Sequence, residues 1–118
     1  MTVTKDQIVQ WLRKTAVVLS ENREYLTQLD AAIGDADHGI NMDRGFRKVM
    51  EQLPTVAGKD IGNILKTTGM TLISSVGGAS GPLYGTFYLR CGMAVPAKEE
   101  LDNDDLLKML QAGVNGIV

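Results

Sequence analysis

The sequence predicts an all-α protein, an antiparallel bundle or barrel of amphipathic helices. Three observations carry that prediction. Apolar residues recur at three- and four-residue steps in successive segments, most of these segments are bounded by a capping residue, a glycine or a proline, and no run alternates in the manner of a strand. The 118 residues, 44% hydrophobic and 22% charged, suffice for one core of ordinary size.

Thr4 followed by Gln7 is a capping-box pattern, so the first helix starts there and carries Ile8, Leu12, Thr15/Ala16 and Leu19 as its stripe. Val9, Val17 and Val18 widen that stripe, and Trp11 stands at its edge. Beyond Ser20, the residues Tyr25, Leu26 and Leu29 continue an apolar face as a second, short helix ending near Gly34. Met42, Phe46, Val49, Met50 and Leu53 mark a third helix, expected to close at Pro54. Asp60 caps a fourth, with Ile61, Ile64, Leu65, Thr68 and Leu72 buried and Ile73 and Val76 beside them, stopped by the run from Gly77 to Gly81. Pro82 suits the first turn of a fifth helix reaching about Val95. It is apolar nearly all round, which places it mid-bundle, and Gly85 and Gly92 share a face that lets a neighbour approach closely. Asp102 and Asp105 open the last helix, LLKMLQAGVNGIV. PAKEELDND reads as an interhelical loop, and with no repeat, low-complexity tract or linker, residues 1–118 read as one domain.

Charge and cysteine content remove several function classes. Twelve Lys and Arg against fourteen Asp and Glu, with a net charge of -2 and no long basic run, argue against a surface built to grip nucleic acid or an anionic membrane. Cys91 is a single cysteine, so no internal disulfide framework and no structural zinc cluster is expected, and a reducing, cytoplasmic setting fits. MTVTKDQIVQWLRK has no basic start followed by an apolar core, and no run approaches about eighteen apolar residues, so neither a signal peptide nor a transmembrane helix is expected. The close on Asn115-Gly116-Ile117-Val118, without a polar tail, is expected of a chain cut inside a larger fold.

The segment LDAAIGDADHGIN is the most informative. Asp30, Asp35 and Asp37 put three carboxylates within eight residues at a helix end and in a glycine-bounded turn. Two unit charges ~4 Å apart repel by about 4 kcal/mol at a surface-like dielectric, an objection that a divalent cation removes. Hard oxygen donors select Mg²⁺, Ca²⁺ or Mn²⁺, and a Mg²⁺ site usually leaves positions for water and substrate phosphate. The same aspartates also read as a solvated helix end, a turn residue and a cap, and the pattern lacks the closing glutamate of a calcium loop. In SSVGGASGPLYG, the residues Gly77, Gly78 and Gly81 let backbone approach a ligand just before a helix whose free N–H groups attract phosphate. The alternative is a structural turn, and the segment is not a Walker A loop. His38 is a candidate base or ligand, or a local hydrogen-bond partner of its turn. Cys91 reads as a buried structural thiol, and Arg44, Arg47 and Lys48 as a solvent face able to meet an acidic partner.

Leu29-Asp30, IGDADHGIN from Ile33 to Asn41, Met42 with Arg44-Gly45-Phe46, and Thr68-Gly69-Met70-Thr71 running into SSVGGASGPLYGTF together resemble the nucleotide-binding subunit of dihydroxyacetone kinase, the DhaL type. The likeness extends over essentially the whole chain. It implies an antiparallel barrel of amphipathic helices that holds ADP or ATP at one end through two Mg²⁺ ions. On that resemblance Asp30, Asp35 and Asp37 match the metal-binding aspartates. His38, Gly39, Ile40 and Asn41 match the stretch lining the nucleotide, and Ala79 and Ser80 match the turn that meets the phosphates, with Gly81 and Leu83 beside it. No catalytic side chain is assigned, because in the family the acceptor dihydroxyacetone is a covalent adduct to a histidine on a separate subunit, a role His38 does not fill.

IGDADHGIN, and no fused upstream domain, favour the separate bacterial subunit over the fused ATP-dependent enzymes. That subunit keeps ADP as a coenzyme, is recharged to ATP by a phosphotransferase-system protein and passes the phosphoryl group to dihydroxyacetone on its partner, in cytoplasmic glycerol and dihydroxyacetone metabolism. The implied partners are therefore the dihydroxyacetone-binding kinase subunit and that phosphoryl donor, with no nucleic acid and no membrane. Family members continue with further helices, a glycine-containing nucleotide loop and a basic residue near the phosphates. Residues 1–118 are thus expected to be the N-terminal part of one DhaL-type domain, with apolar faces open to a partner chain or to homo-oligomer formation. Two readings stand beside this one: a truncated helical interaction module without nucleotide binding, and the nucleotide domain of an ATP-dependent kinase. The related fatty-acid kinase type differs in the acidic turn after its first aspartate and at His38.

Overall fold

The computed structural model describes residues 2–31, 38–76 and 80–117. Six α-helices occupy them: α1 (Lys5–Glu21), α2 (Arg23–Ala31), α3 (His38–Val56), α4 (Ile61–Ser75), α5 (Ser80–Ala94) and α6 (Asn103–Gly116). Local capping sets three of the starts. The Thr4 hydroxyl accepts from the Gln7 N–H at 3.2 Å while the Gln7 side chain accepts from the Thr4 N–H at 2.9 Å, closing the expected box ahead of α1. Asp102 and Asp105 form the same reciprocal pair before α6, and Asp60 accepts from the Asn63 N–H at 2.9 Å before α4.

Two expectations are corrected. The third helix does not close at Pro54 but runs to Val56. A proline so near the end forfeits one intrahelical N–H bond, and the Ala57 N–H still donates to the Leu53 carbonyl at 2.8 Å, so the last turn survives. The stretch PAKEELDND is also not wholly loop. Its Glu100–Leu101 forms a strand, β2, paired antiparallel with β1 (Val3–Thr4), Val3 opposite Leu101 and Thr4 opposite Glu100. Two residues are too few to show alternation in sequence; the ladder is held by fully buried Leu101 and flanked by a 3.2 Å ion pair between Lys5 and Glu99.

Consecutive helices from α2 to α6 pack antiparallel around Leu12, Phe46, Leu53, Ile64, Leu65 and Leu72, all essentially inaccessible. α5 lies between α4 and α6, as its apolar circumference predicts, although Leu83, Tyr84 and Met93 remain exposed. Its Tyr88 ring meets Phe46 edge-on at 6.0 Å and Trp11 at 5.4 Å, tying α5 to α3 and α1. The expected close approach at Gly85 and Gly92 is present, and its counterparts are Gly62 and Gly69 on α4. A Cβ on Gly69 would sit 2.5 Å from the Gly85 carbonyl oxygen, and one on Gly92 would sit 2.6 Å from that of Gly62. Among the described residues no helix is long and apolar enough to cross a membrane.

Candidate functional site

The two segments singled out for chemistry each open a helix, HGIN at α3 and SGPLYG at α5, and the antiparallel packing sets those two starts side by side. His38 Nδ1 lies 3.0 Å from Ser80 Oγ, a contact in which ring and hydroxyl exchange donor and acceptor roles with the imidazole tautomer. One turn along α5, the Tyr84 ring stands 6.2 Å from the His38 ring. Asp30, in the last turn of α2, joins them: its Oδ2 accepts from the His38 backbone N–H at 3.3 Å. One carboxylate therefore meets the positive end of α3, and His38 links that end to the start of α5; the first-turn N–H groups of both helices have no intrahelical acceptor. Chemically, helix starts of this kind favour an anion, and a carboxylate oxygen is a donor that suits a hard cation.

The remaining predicted residues fall on three sides of that junction. Gly39 is buried beneath α2, where a side chain would collide with the Arg23 carbonyl oxygen, and Gly81 is buried against the Val76 carbonyl in the same way. Leu83 is exposed, as is Ile40, which lines a groove of about 670 Å³ with Arg23, Thr27 and Arg44. Asn41 turns its side-chain oxygen to Arg44 Nη2 at 2.9 Å, and Arg44 Nε also reaches the Ser75 carbonyl at 3.4 Å, bracing α3 against the end of α4. Asp35, Asp37 and Ala79 lie outside the described residues, and among those described no three His, Cys, Asp or Glu side chains cluster as a metal site.

One charged residue escapes the sequence reading. Asp43 is 4% exposed and its Oδ2 is shared by Arg47 Nε at 3.1 Å and Arg23 Nη1 at 3.4 Å. Arg47, expected on a solvent face able to meet an acidic partner, is exposed and pairs with this buried carboxylate, while Lys48 pairs with Glu51 on the surface at 3.6 Å. A signal was present: position 43 lies four residues after Gly39 and three before Phe46, inside the buried stripe of α3, where an unpaired carboxylate would be prohibitive.

Residues 32–118, a range that takes in α3 through α6, match the family model of the DAK2 domain. The chain belongs to the DAK2 domain family. Over its full length this DAK2 chain is 54% identical to the PEP-dependent dihydroxyacetone kinase ADP-binding subunit DhaL of Escherichia coli, covering 56% of that protein. Over 117 residues it is 44% identical to the corresponding subunit of PEP-dependent dihydroxyacetone kinase 1 of Listeria innocua, covering 59% of it. Over 105 residues it is 44% identical to the PTS-dependent dihydroxyacetone kinase ADP-binding subunit DhaL of Lactococcus lactis, covering 54%. The DAK2 chain thus spans little more than half the length of these curated relatives.

Proposed function

We propose that the chain supplies the ADP-binding end of a phosphotransferase-system-dependent dihydroxyacetone kinase. The observation that carries this reading is the meeting of Asp30, His38 and Ser80 where the N-termini of α3 and α5 converge. The relatives' names add ADP and dihydroxyacetone kinase chemistry to a site whose charge layout already favours a phosphate.

The donor set fits Mg²⁺: Asp30 offers carboxylate oxygen at the junction, and Asp35 and Asp37 of the same acidic turn are proposed to complete the set. Two bound Mg²⁺ ions would neutralise phosphate charge and polarise the phosphoryl oxygens. The chain's own groups bind and orient. Backbone N–H groups at the start of α5, reached through Ala79, Ser80 and Gly81, receive phosphate oxygens, and His38 holds the Ser80 hydroxyl in place. Gly39, Ile40, Asn41 and Leu83 border the nucleotide. No side chain of this chain is required as a general base, since phosphoryl transfer of this type depends on positioning and charge stabilisation. The phosphoryl group arrives from a phosphotransferase-system protein and leaves to dihydroxyacetone on a partner kinase subunit, in the cytoplasm.

Calorimetric titration of ADP, with Mg²⁺ and with EDTA, into this chain and in parallel into the Escherichia coli relative tests the reading. Mg²⁺-dependent binding is expected, weakened at least about tenfold by Asp30→Ala, and likewise by Asp35→Ala and Asp37→Ala. Binding indifferent to Mg²⁺, or none in this chain while the longer relative binds, would overturn it for these 118 residues.

A further inference from the structure

Asp30 is carried by α2, yet from Arg23 to Asp30 no side chain of that helix is fully buried; Leu26 and Thr27 are half-buried, and Tyr25 and Leu29 are exposed. Nine residues are too few for a helix to stand on its own propensity, so α2 takes its position from its neighbours. Its links to α3 are polar at both ends. In the first turn Arg23 Nη1 reaches Asp43, whose side chain is 5% exposed, at 3.4 Å, and in the last turn Asp30 accepts the His38 N–H at 3.3 Å. Between them the missing side chain of Gly39 lets the α3 backbone come up against the Arg23 carbonyl and Thr27. Arg23 and Asp30 are two turns apart and so lie on one side of α2, roughly 10 Å from each other along its axis.

We propose that Asp43 is a positioning residue for the ligand-binding end: by holding Arg23 it fixes the set of α2 on α3, and with it the place of the Asp30 carboxylate against His38 and Ser80. What the site binds rests on the function proposed above; the clamp rests on the ion pair and on how little of α2 is buried. Arg47 has a different part. It lies one turn from Asp43 on the same helix, so it keeps the buried carboxylate charge-paired without reaching α2. Removing Arg23 or Asp43 leaves α2 with one of its two polar links to α3, the one at Asp30.

Residue-resolved amide hydrogen exchange, with the Mg²⁺-ADP titration on the same samples, tests this. In Arg23→Ala, whose side chain is partly exposed and whose loss spares the core, and in Asp43→Asn, the amides of α2 and of His38 exchange faster while those of α4 and α5 keep wild-type protection. Mg²⁺-dependent ADP affinity falls about tenfold to a hundredfold. Arg47→Ala leaves α2 at wild-type rates, and Arg23→Lys restores part of the loss. Unchanged α2 and His38 exchange in Arg23→Ala overturns the proposal, and so does an equal acceleration in every helix, which would make Asp43 a general stability residue. Faster α2 and His38 exchange in a chain that binds no Mg²⁺-ADP upholds the clamp and removes the functional reading. Faster exchange with undiminished affinity overturns the positioning role.

Discussion

At Cys91 the surroundings decide the chemistry. The thiol is fully buried between α5 and α6, Gly113 leaves room for its sulfur, and burial pushes its pKa up to about 11. At neutral pH the nucleophilic thiolate is thus scarce, and the reagent has no path to it. Iodoacetamide at pH 7 is expected to leave the folded chain unmodified and to alkylate one thiol per chain in denaturant, read by mass spectrometry; labelling of the native protein at the rate of a free thiol would contradict this packing. Cys91 was legible from sequence because it sits in an unbroken apolar helix. At Asp43 the pairing with Arg47, four residues on, was legible and the link to Arg23 was not, because Arg23 stands twenty residues away on another helix and no local pattern announces it.

Helix starts were the most legible elements, since a cap is written within four residues: Thr4 with Gln7, Asp60 with Asn63, Asp102 with Asp105. The end at Val56 was misjudged because proline weakens a final turn without abolishing it. Half of the contact between α4 and α5 could be read from the sequence. Gly85 and Gly92 declare themselves by sharing a face, whereas Gly62 and Gly69 acquire meaning only once α4 is known to lie opposite them. The seam predicts a sharp asymmetry among glycines. Gly69→Ala puts a methyl group against Gly85 and Leu89 backbone, 2.5 Å from each, and backbone cannot rotate away as a side chain can. The loss is expected at about 1–3 kcal/mol or more, measured by urea unfolding. Gly58→Ala, where nothing lies within 4 Å, is the control. Equal stability of the two variants would refute the seam.

Across the whole molecule the interior is well covered and the exterior is uneven. On α6, Met109 and Gly113 face the core while Leu107, Leu110 and Val114, with Ile117 just past its end, form a second apolar stripe on another side, exposed. A helix apolar on two sides, in a molecule of this size, invites association. Sedimentation velocity is expected to show concentration-dependent assembly that the pair Leu110→Glu and Val114→Glu abolishes; a single monomeric species at every concentration would count against it. Sequence periodicity gave the all-α class, but the placing of α2 by polar links escaped it, as did the β1–β2 ladder. That ladder has a consequence in time as well as in space. Val3 and Thr4 find their partners only when Glu100 and Leu101 exist, roughly a hundred residues later. On a ribosome adding about 5–20 residues per second, Val3 and Thr4 wait roughly 5–20 seconds for their strand partner, and the Lys5 ammonium waits as long for Glu99. The nascent chain can therefore settle α1 against α3 and against Tyr88 of α5 before the turn leading into α6 arrives to fasten its leading edge.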